Sequence, residues 1–260
     1  MITVNPFIDN VLNIAPAYMQ GFLVLMVIFT IGGVVLDMMH KKNVKFFFQN
    51  AKKMKLAATN TVSTGEKVSI VVKTLAHDVA TSAEFCGVTR RITHLLGMYG
   101  TIIFWVASAV MIFSNSVTSV IYPMMWHVGA LMTCLGGYWF WFIQRVDVRA
   151  EGNSWSRIVF ADLFVLSLVG TSTLGLLWSY FQSANSSGLA TLFFVMFIIS
   201  NVILFGGVYW SKFAHMFYKP GAAIQKHLAE ADGSRDNLPP FADAPKQFGL
   251  GIKREQPKHY

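Results

Sequence analysis

The chain has 260 residues, 54% of them hydrophobic and only 13% charged, with a mean hydropathy of +0.48. A soluble domain of that length cannot hide so much apolar surface behind so few charges, so the composition excludes an ordinary soluble fold and predicts an all-α integral membrane protein. The net charge of +8 would also suit a nucleic-acid binder, but its placement along the chain argues against nucleic acid; the two cysteines, Cys86 and Cys134, are too few for a zinc site or iron–sulfur cluster held by this chain alone.

Five apolar stretches are long enough to cross roughly 30 Å of hydrocarbon as helices. They run over 17–38, 92–114, 121–143, 158–181 and 189–210. The first has no basic region before it and no small-residue cleavage site after it, so it is expected to be a retained span rather than a removed signal peptide. The third begins after "IYP", where Pro123 suits a first helical turn. Polar turns, "EGNSWSR" and "QSANSSG", precede the fourth and fifth.

Between the first two spans lies a basic loop, 40–91. Within it "EKVSIVVKTLAHDVATSAEF" spaces Val68, Val71, Val72, Leu75 and Val79 at helical intervals, with Lys67, Lys73 and Asp78 opposite. That pattern predicts an amphipathic helix lying along a membrane or a partner. The tail 219–260 is rich in Pro, Gly and charge, and is expected to be disordered or to form an extended docking arm. No internal repeat is present, and the spans are almost free of polar midplane residues, which leaves a small transporter as the weaker alternative.

All twenty-one Lys and Arg residues fall in three places: ten in 40–91, three in 144–157 and eight from Lys212 onward. The excess of positive charge on one side puts the N-terminus outside and the C-terminus in the cytoplasm, which five crossings satisfy. The expected layout is thus an N-terminal transmembrane helix (1–39), a cytoplasmic basic loop (40–91), a four-helix membrane bundle (92–215) and a cytoplasmic tail (216–260), multi-pass in the cell inner membrane.

Of the seven histidines, His94 opens the second span and His215 ends the fifth in "SKFAHMFY", so both fall at the cytoplasmic end of the bundle. A b-type haem in a helix bundle needs two imidazoles from facing helices, small residues where the porphyrin crosses a helix, and cations for its propionates. His94 and His215 as axial iron ligands, Gly97 one turn after His94, and Arg90, Arg91 and Lys212 as propionate partners would supply these parts. The same residues also suit plain interface anchors, because His, Lys and Arg snorkel at helix ends. His127 lies toward the outer end of the third span beside Trp126. There it is an aromatic-belt residue, a hydrogen-bond partner for a quinone, or a haem ligand opposite Met111, Met124 or Met125, and no second histidine is near it for another bis-histidine haem. Asp162, inside the fourth span, either carries protons during quinone reduction or pairs with Arg91, Arg157 or His94.

At "RRITHLLGMYG", "YPMMWHVGALMTCLGGYWF", "FADLFVLSLVG" and "SKFAHMFY" the sequence resembles the cytochrome b-like membrane subunits of quinone-linked redox complexes. These include nitrate reductase gamma subunits, heterodisulfide reductase membrane subunits and the cytochrome b-like subunit of the quinone-interacting membrane-bound oxidoreductase. The resemblance covers about residues 65–220. The chain lacks the ferredoxin-like cysteine motifs that the last of these carries, and it has Phe104 where the two-haem members carry a histidine ten residues after the position of His94. In this short form it is similar to the membrane anchors of adenylylsulfate (APS) reductase. The resemblance implies haem b on His94 and His215, quinone as electron acceptor, and a cytoplasmic iron–sulfur flavoprotein such as APS reductase as partner, in sulfur oxidation. It leaves a haem-free anchor for the same enzyme as the alternative.

Overall fold

The structure, a computed structural model, describes residues 2–8, 12–83, 85, 87–114 and 119–234, and no strand occurs among them. Cys86 and the Pro- and Gly-rich stretch of the predicted docking arm, 235–260, lie outside the described residues.

Helix α1 (Pro16–Lys41) opens on a proline, whose missing N–H is no loss in a first turn, and carries no charge before Asp37. It stops where Lys42 takes a left-handed conformation (φ 54°), and α2 (Asn43–Ala57) starts on the next residue. α3 (Thr64–Lys73) is capped by Ser63, whose hydroxyl accepts the Glu66 N–H at 3.2 Å, and continues through Val79 as a π-helical turn. This is the amphipathic helix expected from the sequence, whereas α2 occupies a stretch where the sequence pattern predicts only loop.

α4 (Val88–Phe113) and α5 (Ile121–Trp139) follow, the latter running on as a π-helical turn to Gln144. After the short α6 (Val146–Arg149), a 3-10 turn at Phe160–Asp162 leads into α7 (Leu163–Ser183). α8 (Ser187–Gly206), a second 3-10 turn at Lys212–Ala214 and α9 (His215–Ala231) complete the described chain.

By length and composition, four helices among the described residues can cross a membrane: α1, α4, α7 with its leading turn, and α8. α5 has the length, but Tyr122, Pro123, Trp126, His127 and three glycines lower its apolar content. Two further expectations are corrected. His215 does not end the last apolar helix; that helix stops at Gly206, and His215 begins a separate one. The predicted disordered or extended arm is helical from 219 to Ala231, because "AAIQKHLAEA" keeps good helix formers past Pro220, which sits within two turns of the helix start.

The chain divides into two compact units: 1–36 with 92–214, and 37–91 with 215–260. The first is centred on Trp126 and Trp178, both fully buried, with Phe104, Phe194 and Phe197 around them. Each indole finds a partner for its N–H: Trp126 donates to Ser108 Oγ and Trp178 to Gln182 Oε1, both at 2.9 Å. Phe7 stacks edge-on against both indoles, at ring-centroid distances of 6.0 and 5.3 Å. Its segment is tied down where the Asn5 amide donates to Met111 O and the Gln182 amide to Pro6 O. Ser and Thr hydroxyls join α7 to α8: Thr171 donates to Ser200 Oγ, which donates to Ser167 O at 3.0 Å. In hydrocarbon each such bond stabilises helix association by about 0.6 kcal/mol.

In the second unit α9 packs on α3 and its π-helical turn. The Gln225 amide donates to the buried Met54 Sδ, and the Thr59 and Asn60 amides donate to Asp232 O.

Candidate functional site

Close approach of α4 and α5 defines the neighbourhood of His94. A Cβ on Gly100 would lie 2.6 Å from Thr133 N, one on Gly129 2.6 Å from Phe104 N, and one on Gly136 2.6 Å from Gly97 N. These glycines exist so that two backbones can touch, and Thr101 and Thr133 meet across the same seam. Gly97 differs: a Cβ there would meet nothing within 4 Å. Of the small residues near His94, Gly100 is spent on the helix contact, and Gly97 keeps an open flank.

His127 is buried, and both its ring nitrogens are engaged. Nδ1 lies 2.7 Å from Pro123 O and Nε2 2.8 Å from Ser179 Oγ. A carbonyl only accepts, so Nδ1 carries the proton and Nε2 accepts from the Ser179 hydroxyl. The ring also lies edge-on to Trp126 at 4.9 Å. This imidazole is a locked neutral bridge between α5 and α7, and a bond to iron or a quinone oxygen requires that the Ser179 bond be given up. Neither Pro123 O nor Ser179 is a partner that the sequence predicts.

Asp162 lies in the turn that opens the fourth apolar span, at the N-cap of α7, and its partner is none of the three expected. Arg145 Nη2 donates to Asp162 Oδ2 at 2.5 Å, while Nη1 donates to Arg157 O at 2.6 Å and the guanidinium lies 4.3 Å over the Trp141 ring. The Val159 N–H donates to the same carboxylate oxygen at 3.0 Å. Side-chain exposures of 5% for Arg145 and 12% for Asp162 make this a largely desolvated ion pair. The π-helical turn at 140–144 carries Arg145 to the pair. Arg157 instead keeps its side chain in solvent, 4.0 Å from Glu151.

The remaining predicted residues divide between the two units. His94, half-buried on α4, Gly97 and the exposed Lys212 belong to the first; Arg90, Arg91 and the exposed His215 belong to the second. Arg91 is engaged by Thr81, donating through Nε to Thr81 O at 2.7 Å and through Nη2 to Thr81 Oγ1. Arg90 lies 5.8 Å over the Phe85 ring.

The second unit also holds two groupings missed in the sequence. Asp37, buried in the last turn of α1, pairs with Lys41 and hydrogen-bonds Tyr218, whose phenol is pushed above its ordinary value by burial and by that carboxylate. A charge one turn from a helix end looks like an ordinary interface residue until α9 is known to bring Tyr218 to it. Asp78 accepts from His77 Nδ1 at 2.9 Å and from His227 Nε2 at 2.6 Å, and His227 Nδ1 lies 3.0 Å from Glu230. The His77 bond, and with it His227, holds the Asp78 carboxyl below its usual range; the Asp78 bond in turn raises His227.

No protein-family model, curated protein or solved structure matches the chain.

Proposed function

We propose that this chain is the membrane anchor and electron-relay subunit of a quinone-linked redox complex, crossing the inner membrane five times with α5 as the remaining span and its N-terminus outside. One observation supports the anchor role: a bundle of apolar helices is joined to a separate compact unit of basic, amphipathic helices. Such a unit, including the tail that follows α9, is a platform for a soluble cytoplasmic partner, an iron–sulfur flavoprotein such as APS reductase. The relay role rests on the sequence resemblance. In it His94 and His215 would hold a b-type haem, Gly97 would be the small residue that leaves room for it, and Arg90, Arg91 and Lys212 would be the cations for its propionates. When bound, the haem supplies a one-electron carrier between the partner's cluster and quinone. Asp162 and His127 are the proton candidates, each of which must first leave its present partner.

A second reading, a cofactor-free anchor for the same enzyme, is favoured by the closed α4–α5 seam and by the engagement of Arg91 with Thr81. Isolation of the tagged full chain from native membranes, followed by quinone-reduction assays with the co-purified flavoprotein, tests the proposal. Turnover that requires the chain and is lost in His94→Ala supports the relay. Co-purification with unchanged turnover in that variant leaves the anchor alone.

A further inference from the structure

α2 begins two residues after α1 ends, so if α1 crosses the bilayer, α2 starts at headgroup depth. Its inward side is set by the buried Met54, with Phe47 and Asn50 half-buried on the same face. The outward side carries Lys45, Phe48, Lys52, Lys55 and Leu56 at helical intervals, a continuous stripe. Phe48 is 65% and Leu56 81% exposed, and on the adjoining flank Phe46 is 60% exposed beside Lys53.

Two features separate this stripe from an ordinary solvated helix face. A solvated basic helix usually alternates its lysines with acidic residues, yet no Asp or Glu occurs between Asp37 and Glu66. Large aromatic and aliphatic side chains are also interleaved with the lysines rather than segregated from them. That mixture suits the headgroup layer of a bilayer. Lysine stems lie along the acyl boundary and lift their ammonium groups to lipid phosphates, while the phenyl and isobutyl groups dip below. Clustered lysines directly following a membrane span are attracted to anionic lipid, and the attraction is additive over the cluster.

We propose that the outward stripe of α2 is a binding surface for anionic phospholipid headgroups in the leaflet that the C-terminal end of α1 meets. The assignment requires α1 to span the membrane and does not depend on any redox cofactor. It gives the chain a lipid dependence: α2 lies down on an anionic surface and stands off a zwitterionic one.

The test uses the full chain in nanodiscs of phosphatidylcholine alone or of equal parts phosphatidylcholine and phosphatidylglycerol. Spin labels are placed at Phe48→Cys, Leu56→Cys and, as a control on α8, Ile199→Cys, in a Cys86→Ser/Cys134→Ser background. Accessibility to oxygen, which concentrates in lipid, is compared with accessibility to a neutral water-soluble nickel chelate. The label at 199 must read as lipid-exposed in both discs; a water-exposed reading there overturns the membrane assignment itself. With 199 in lipid, the proposal expects labels 48 and 56 to move toward the lipid reading only when phosphatidylglycerol is present. Each Lys→Gln change among Lys45, Lys52, Lys53 and Lys55 is expected to lower the ratio of membrane-bound to unbound α2 roughly fivefold. The effect should also vanish at about 0.5 M salt, where screening shortens to about 4 Å. Labels 48 and 56 that stay water-exposed in both discs, or that become protected only on addition of an acidic soluble partner, overturn the proposal. Protection that is equal in both lipids and indifferent to the lysine changes does the same.

Discussion

Gly129→Ala adds one methyl group at one of the three closest approaches in the α4–α5 seam. Its Cβ would stand 2.6 Å from Phe104 N, 2.8 Å from Gly100 O and 3.1 Å from Phe104 Cα. All three neighbours are backbone, so no side chain can rotate away. Restoring an ordinary 3.4 Å contact parts the helices by roughly 0.8 Å there. That separation loosens the Gly100 and Gly136 contacts and stretches the Thr101–Thr133 approach, already at 3.4 Å. Overpacking of this kind costs about 2 kcal/mol, a roughly thirtyfold loss in the folding equilibrium. Gly97→Ala is the matched control: the same methyl group on the same pair of helices meets nothing within 4 Å. It should be neutral or stabilising by up to about 1 kcal/mol, since alanine is the better helix former. Unfolding in mixed micelles titrated with SDS and followed by far-ultraviolet circular dichroism reads both variants. Equal midpoints for the two, or a wild-type midpoint for Gly129→Ala, would refute the backbone-contact explanation of the seam.

Asp162→Asn strips Arg145 of its counter-charge in a site where the guanidinium is only 5% exposed, and should cost about 3 kcal/mol in the same titration. The Arg145→Gln/Asp162→Asn pair should recover part of that loss, whereas normal stability with lost quinone-linked turnover would assign Asp162 to proton transfer. Ser179→Ala leaves His127 Nε2 buried without a donor and should cost about 1–2 kcal/mol; a wild-type midpoint would mean that His127 is not held as described. The Asp78–His227 bond makes the docking of α9 depend on pH. The contribution of Asp78, whose folded pKa is lowered, is present above its ordinary value of 3.8 and lost as pH falls through the lowered one; that of His227, whose folded pKa is raised, is complete below 6.5 and lost as pH rises through the raised one. Amide exchange in α9, corrected for its intrinsic pH dependence, should therefore speed up by at most about twofold on passing from about pH 6 to about pH 8, because the pair is partly solvated. His227→Ala should remove that change, and a pH response that survives the substitution would place its origin elsewhere.

Much of the helical layout is legible in the sequence because apolar runs and turn residues are local signals. "EGNSWSR" and "QSANSSG" separate helices in the structure as they do on paper, and Ser63 with Glu66 marks the start of α3. What escapes is set by tertiary contact or by irregular backbone. α2 is hidden because "FFFQNAKKMKLA" mixes phenylalanine with lysine on its outward side and has no clean amphipathic period. α9 is hidden because its stretch carries Pro220 and Gly221 and leads into the Pro- and Gly-rich tail, although the helix runs through both residues. The partner of Asp162 is missed because Arg145 is seventeen residues away and reaches it through a π-helical turn that no sequence period announces. His127 is found by its residue type, but its locked state depends on Ser179, fifty-two residues later and one of many serines in apolar helices.

The relay is tested most directly by the reduced-minus-oxidised visible spectrum of the full chain purified from a haem-replete host, with a pyridine haemochrome assay for stoichiometry. The proposed function predicts one b-type haem per chain, lost in His94→Ala and in His215→Ala and displaced in Gly97→Leu without loss of fold. A well-folded preparation with no haem signal, or one whose haem survives both histidine substitutions, would contradict it.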